Sequence, residues 1–215
     1  MAVLVKICGI KTSEIAEAAI GAGADYIGLN FFAKSPRYVS PADAAALADV
    51  VRGRVRIVAL TVDPTDALID EIVRAVRPDI LQLHGHEPIE RFREIKSTWP
   101  LEVMKAISVG AAADIARGID YTAAVDLIMF DAKAPKNATL PGGNGVPFDW
   151  AMLAGVSDRL DYMLAGGLTP ENVAEAIRLT GAKAVDVSSG VETAPGVKDA
   201  ALIKRFIAAA KSVRS

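Results

Sequence analysis

Eight short β-rich runs alternate with segments of helical periodicity along the 215 residues of the chain. Residues 66–76 are typical of the helical segments, because their apolar side chains fall on one stripe. Strands separated by helices favour parallel pairing through right-handed crossovers. The predicted strands are 3–9, 26–32, 56–62, 79–85, 101–109, 127–133, 162–168 and 184–190. The predicted helices are 12–24, 41–53, 64–78, 87–100, 112–121, 149–156, 170–182 and 197–213.

Eight such units predict an α/β protein, a single (β/α)8 TIM barrel with a parallel eight-stranded core that spans residues 1–215 as one domain. The competing fold is an open doubly wound sheet, which typically carries a G-x-G-x-x-G fingerprint after an early strand. The "CGIK" that ends the first run lacks that spacing. Glycine at positions 21, 53 and 181 is expected to end helices, since glycine accepts a positive φ.

Charge and composition argue against several classes of partner. Lys and Arg number 24 against 26 Asp and Glu, and no basic stripe stands out, so neither nucleic acid nor a membrane surface is expected as the main partner. One Cys and two His cannot build a structural zinc site. Without a leader pattern or an apolar run of spanning length, the chain is expected to be cytoplasmic.

Cys8 ends the first run on the same face as Lys6, while Val5 and Ile7 point the other way. Aliphatic side chains should face the helices, which places Lys6 inside the barrel and Cys8 at its mouth. A lone Cys in an apolar run is commonly inert packing. At the carboxyl end of a barrel strand, however, it lies where catalytic groups are found, so both interpretations stay open at this point.

Asp131 lies at the end of the sixth run on the face of Met129, which again puts a charged group at the mouth, although a helix cap or a loop ion pair is the alternative. The segment 132–148 that follows has no periodicity, which is typical of a functional loop or of disorder. It contains Gly142, Gly143 and Gly145, whose backbone amides can face an anion. His84 ends the fourth run and is expected to line the site, whereas His86 is expected to lie in a loop.

Two more glycine clusters end the seventh and eighth runs: Gly166 with Gly167, and Gly190 preceded by Ser188 and Ser189. These last two loops of a (β/α)8 barrel often bind phosphate through glycine amides and a helix N-terminus. Each cluster alone is consistent with an ordinary turn, and together they favour a phosphate site. The helix after the first cluster is predicted to begin at position 170, directly behind a capping Thr at 169.

Arg37 lies in the loop after the second run, "FFAKSPRYVSP", among aromatic residues. A guanidinium matches a planar carboxylate through two parallel hydrogen bonds, which predicts carboxylate binding at the mouth. A solvated surface cation is the alternative.

In this order, the motifs "KICGIK", "FFAKSPRYVSP", "LQLHGHE", "FDAK", "GGNGVPFDW", "LAGGLTPENV" and "DVSSGVE" resemble those of the phosphoribosylanthranilate isomerase family. The resemblance runs from about Val5 to Glu192 and implies a (β/α)8 barrel. It implies an Amadori rearrangement of an aminoaldose phosphate to a ketose, without metal or organic cofactor. By matching motifs, Cys8 is the general base and Asp131 the general acid.

The resemblance also implies that Arg37 faces the carboxylate of the substrate and that the three glycine clusters bind its phosphate. Asp186 lies in a matching motif, and its role stays open. Lys6 is a candidate for raising the thiolate fraction of Cys8. The expected partner is a small phosphosugar, and the oligomeric state is left as monomer or homodimer.

Two rival functions remain. The first is another phosphosugar isomerase on the same barrel, such as the histidine-pathway enzyme, which typically has a carboxylate at the position of Cys8. The second is a phosphosugar-binding barrel without catalysis, which would tolerate loss of both Cys8 and Asp131.

Overall fold

The computed structural model describes residues 2–132 and 149–213. Within these residues, eight parallel strands pair in chain order, and the last pairs with the first to close a barrel. The strands are β1 (Leu4–Cys8), β2 (Tyr26–Asn30), β3 (Arg56–Thr61), β4 (Ile80–Leu83), β5 (Glu102–Val109), β6 (Leu127–Ala132), β7 (Tyr162–Leu164) and β8 (Ala184–Val187). The predicted fold class is confirmed.

Helices follow the strands and surround the barrel. In the described part of the chain they are α1 (Ser13–Ala22), α2 (Pro41–Val51), α3 (Asp66–Val76), α4 (Ile89–Thr98), α5 (Ala112–Asp120), α6 (Val173–Thr180) and α7 (Ala200–Lys211). The predicted helix at 149–156 is wrong, because only a 3-10 turn, Trp150–Leu153, forms there. Gly155, with a φ of +75°, lies in a conformation that cannot continue a right-handed helix.

A short antiparallel hairpin follows β8 and was not predicted. Its strands are β9 (Glu192–Ala194) and β10 (Val197–Lys198). The hairpin delays the start of α7, which the sequence pattern placed at 197, and Asp199 instead caps that helix by accepting a hydrogen bond from the Leu202 amide at 2.8 Å. The hairpin tip lies against the loop after β2, since a Cβ atom on Gly196 would be 2.4 Å from the Pro36 carbonyl oxygen.

The barrel divides the core into two layers. Val5 and Ile7 are fully buried in the apolar layer between strands and helices. Met104, Met129 and Met163 belong to a second apolar cluster, which lies inside the barrel. Because side chains alternate along a strand, this arrangement confirms that Lys6 points inward from β1.

The predicted start of α6 is also wrong, because the chain first makes a turn. The Thr169 hydroxyl accepts from the Glu171 amide at 3.2 Å, and the Thr169 amide donates to Asn172 Oδ1 at 2.8 Å. These bonds satisfy the backbone groups locally, so the helix begins at Val173, three residues after Pro170.

The glycine that ends helix α1 is not the one predicted. Gly21 lies inside it, and the left-handed residue that ends it is Gly23, with a φ of +98°. The Gly23 amide donates to the Ile20 carbonyl oxygen at 2.9 Å and so satisfies one terminal acceptor of the helix.

Candidate active site

Cys8 and Lys6 lie together inside the mouth of the barrel. The Lys6 ammonium is fully buried and donates to Asp186 Oδ1 at 2.8 Å across the β1–β8 seam. Gly28, the β2 residue paired with Cys8, leaves them room, since a Cβ atom there would be 2.9 Å from Cys8 Sγ and 3.2 Å from Lys6 Nζ. The thiol, the ammonium and the Asp186 carboxylate therefore form one buried cluster.

Burial is the largest influence on this cluster. It raises the pKa of the Cys8 thiol, and the nearby Lys6 ammonium only partly opposes it. Burial also works against the charge of Lys6, but Asp186 and Cys8 outweigh burial and raise the pKa of Lys6. Lys6 is thus held as a cation. Lys6 favours the thiolate of Cys8, as expected, but burial outweighs this effect in the protein without substrate.

Asp131 and His84 meet at the ends of β6 and β4. His84 Nε2 lies 3.2 Å from Asp131 Oδ2, and both side chains are buried. The approach does not have hydrogen-bond geometry, so Nε2 has no hydrogen-bond partner within residues 2–132 and 149–213. Asp131 Oδ1 accepts from the Ala132 amide at 2.8 Å, which fixes the carboxyl group. His86 is exposed in the following loop, as predicted.

Arg37 is buried, not a solvated surface cation. Its Nε and one terminal nitrogen donate to the two carboxylate oxygens of Glu192, each at 2.8 Å. Burial alone would raise the pKa of Glu192, but Arg37 and Lys198 outweigh it and lower the pKa. The Arg37 stem packs on Gly9, where a Cβ atom would be 2.7 Å from its Cδ. The guanidinium is therefore anchored beside the loop that follows Cys8.

The loops after β7 and β8 approach each other closely through glycine. A Cβ atom on Gly190 would be 1.9 Å from the Leu168 carbonyl oxygen, and one on Gly166 would be 2.3 Å from the Ala132 amide nitrogen. Gly166 and Gly167 also have positive φ angles. The close approaches at Gly166 and Gly190 therefore leave no room for a Cβ atom, so both positions require glycine.

Ser188 connects these loops to β1, since its hydroxyl donates to the Cys8 carbonyl oxygen at 3.2 Å. Ser189 and Gly190 lie in the 3-10 turn Ser189–Val191 that follows. The predicted phosphate-binding residues after β7 and β8 are thus adjacent. Gly142, Gly143 and Gly145 lie outside the described residues.

Within the described ranges, 2–132 and 149–213, no group of three or more His, Cys, Asp or Glu side chains is arranged to hold a metal ion. No helix in that part of the chain is long and apolar enough to cross a membrane.

Residues 5–209 match the protein family described as N-(5'-phosphoribosyl)anthranilate isomerase. The chain belongs to this family.

Individual members of the phosphoribosylanthranilate isomerase family are similar over nearly the whole length. The isomerase of Mesorhizobium japonicum is 52% identical over 214 residues, which cover 100% of this chain and 98% of that protein. The crystal structure of the Thermotoga maritima enzyme has a TM-score of 0.89 at 40% identity and covers 98% of this chain and 100% of that one. A second crystal structure, of an isomerase in complex with reduced 1-(o-carboxyphenylamino)-1-deoxyribulose 5-phosphate, has a TM-score of 0.85 at 38% identity, with the same coverage.

Sequence reasoning missed three residues around this candidate site: Gly28, Glu192 and Lys198. Gly28 could have been found as a glycine on the inward face of a strand. Glu192 is the last residue of the motif "DVSSGVE", but nothing in the sequence indicated that its side chain binds Arg37. No sequence pattern pointed to Lys198, because its contacts with Glu192 and Ser188 depend on a hairpin that was not predicted.

Proposed function

We propose that the chain isomerises N-(5-phosphoribosyl)anthranilate to 1-(2-carboxyphenylamino)-1-deoxyribulose 5-phosphate, an Amadori rearrangement in tryptophan biosynthesis. The observation that carries this proposal is the pair of reactive groups at the barrel mouth in a chain of this family: a buried thiol at the end of β1 and a buried carboxyl at the end of β6. We also propose that residues 1–215 form one domain working in the cytoplasm as a monomer or homodimer.

Asp131 supplies the acid in the first step. A protonated carboxyl donates its proton to the furanose ring oxygen, the bond from that oxygen to the first sugar carbon breaks, and a Schiff base cation forms at the substrate nitrogen. His84, with Nε2 at 3.2 Å from the carboxyl group, faces the same place.

Cys8 supplies the base in the second step. The thiolate removes a proton from the second sugar carbon, the electron pair moves toward the iminium nitrogen, and an enolamine forms that tautomerises to the ketone. Burial raises the pKa of the free thiol, so the cationic Schiff base itself has to favour the thiolate, in addition to Lys6. Deprotonation is thereby tied to the presence of the ring-opened substrate.

Binding of the substrate uses its two anionic ends. We assign the carboxylate to Arg37. The phosphate is assigned to the backbone and hydroxyl donors of Gly166, Gly167, Ser188, Ser189 and Gly190, and to the loop containing Gly142, Gly143 and Gly145. We assign Asp186, which accepts a hydrogen bond from Lys6, to the sugar hydroxyls as an acceptor.

The test follows the loss of anthranilate-type fluorescence as freshly made phosphoribosylanthranilate is consumed by the parent, Cys8→Ala and Asp131→Asn. Rapid loss with the parent and near-background rates with both variants are expected. Equal rates in parent and variants would refute the assigned acid and base. An inactive parent would refute the reaction, and turnover of the histidine-pathway substrate or simple ligand binding would then decide between the rivals.

A further inference from the structure

The hairpin that follows β8 begins with Glu192 and ends with Lys198, and both charged side chains are buried. Their side chains are 4% and 2% exposed, and Lys198 Nζ lies 2.7 Å from Glu192 Oε1. A buried ion pair of this kind is costly to form and costly to break. Two such groups on a hairpin of only seven residues, positions 192–198, call for a role beyond the turn itself.

Glu192 holds two cations at once. Its two oxygens accept from the Arg37 guanidinium at 2.8 Å each, and Oε1 also accepts from Lys198. The Gly196 amide adds a bond to Oε2 at 3.2 Å. A two-bond contact fixes the plane of the guanidinium as well as its position. Burial lowers the pKa of Lys198, and the Glu192 carboxylate opposes that shift.

Lys198 extends the network to the opposite loop. Its ammonium donates to the Ser188 carbonyl oxygen at 2.9 Å and lies 3.2 Å from the Ser188 hydroxyl oxygen. Ser188 in turn donates to the Cys8 carbonyl oxygen. The chain of contacts therefore runs from Arg37, through Glu192 and Lys198, to the first residue after β8.

We propose that Glu192 and Lys198 are positioning residues that set the spacing between Arg37 and the Ser188–Gly190 loop, and thereby select ligands that carry both a carboxylate and a phosphate. The inference rests on the proposed function, which assigns the carboxylate to Arg37 and the phosphate to the loop. The two residues act through Arg37 and Ser188 and do not touch the reacting atoms.

The decisive comparison uses two ligands and Glu192→Gln, which keeps the size of the side chain and removes its charge. One ligand is reduced 1-(o-carboxyphenylamino)-1-deoxyribulose 5-phosphate, and the other is the same compound without its carboxyl group. Calorimetry should show binding of the first ligand weakened about ten-fold or more in the variant and binding of the second weakened less than about three-fold. The KM for phosphoribosylanthranilate should rise by about the same factor as the first ligand's Kd, with kcat within about three-fold of the parent.

Lys198 variants test the other end of the network. Lys198→Met should weaken binding of both ligands. The loop that carries Ser188 loses its contact with residue 198, and both ligands carry the phosphate that this loop is proposed to bind. Lys198→Arg should restore most of the binding. Glu102→Gln is the control, because it removes a half-exposed ion pair with Arg56 at the opposite end of the barrel, and both ligands should bind it as they bind the parent.

Equal weakening of the two ligands by Glu192→Gln, or no weakening of either, would overturn the proposal. Circular dichroism checks that each variant folds. If Glu192→Gln does not fold, Glu192→Asp is used in its place, and it should also weaken the carboxylated ligand more than the other. A parent that binds the carboxylated ligand but turns over no substrate refutes the proposed reaction alone. A parent that binds neither ligand refutes both inferences.

Discussion

At the scale of single residues, Lys6 shows how a charge is kept inside an apolar barrel. The ammonium is fully buried, and its hydrogen-bonded counterion Asp186 lies across the seam between the first and last strands. A buried charge that loses its partner costs far more than the intact pair contributes. The pair should therefore be visible in stability as well as in activity.

Asp186→Asn should lower the free energy of unfolding by about 3 kcal/mol at neutral pH, because Lys6 is left without a counterion. Urea denaturation followed by circular dichroism measures this loss. The double variant Lys6→Met with Asp186→Asn should recover part of it, since no charge remains to be buried. If Asp186→Asn were as stable as the parent, Asp186 would not be the counterion that keeps Lys6 charged inside the barrel.

Cys8 is the only cysteine of the chain, so its ionisation can be followed without interference from another thiol. Burial raises its pKa, and the thiolate absorbance near 240 nm should therefore appear above the ordinary pH range of a cysteine. Lys6→Met should move the step to still higher pH, because it removes the ammonium that favours the thiolate. Cys8→Ser provides the blank for tyrosine absorbance.

The sign of the stability effect follows from the same shift. The folded thiol holds its proton more tightly than the unfolded thiol, so its contribution to stability is complete below the unfolded pKa. That contribution is lost as pH rises toward the folded pKa. A thiolate step below the ordinary range would show that burial does not dominate at this site.

At the scale of the element, helix α1 offers two glycines two residues apart in opposite situations. Gly21 lies inside the helix, and a Cβ atom there would meet nothing within 4 Å. Gly23 ends the helix with a φ of +98°. The two positions separate the entropic cost of glycine in a helix from its use at a left-handed cap.

Gly21→Ala should raise the free energy of unfolding by about 0.5–1 kcal/mol, because alanine loses less conformational freedom in a helix. Gly23→Ala should lower it by about 1 kcal/mol, because an L side chain is strained at a positive φ. Each variant serves as the other's control in thermal denaturation. Shifts of the same sign would mean that the end of α1 is misplaced.

At the scale of the whole molecule, the outer layer of helices lies apart from the mouth of the barrel. Helix α7 packs on α1 and β1, with Phe206 fully buried, and so supports the closing seam from outside. Cys8 and Asp131, the proposed base and acid, lie at the carboxyl ends of their strands, at the mouth of the barrel. Substitutions in the two regions should therefore have different signatures.

Phe206→Ala should lower the free energy of unfolding by about 3–4 kcal/mol, from lost apolar burial and the cavity left behind. At a temperature where the variant is still folded, kcat should stay within about three-fold of the parent. Cys8→Ala should behave in the opposite way, with near-normal stability and almost no activity. Loss of kcat in folded Phe206→Ala would show that the outer layer reaches the active site.

Sequence patterns predicted the barrel because each strand and helix carries its own periodicity and each must bury an apolar face. They also predicted that Lys6 points inward, since alternation along a strand is a local rule. The boundaries at Val173 and Ala200 were missed, because a turn and a hairpin satisfy backbone groups there in ways that periodicity does not record.

By itself, the sequence determined the fold class, the family, and the placement of Cys8, His84 and Asp131 at the ends of strands. Only the tertiary structure decided what lies around them. Burial raises the pKa of Cys8 despite Lys6, and Arg37 is held by Glu192, 155 residues away in the chain. The reason is physical: strand and helix periodicity act over a few residues, whereas desolvation and ion pairing depend on which distant segments close around a group.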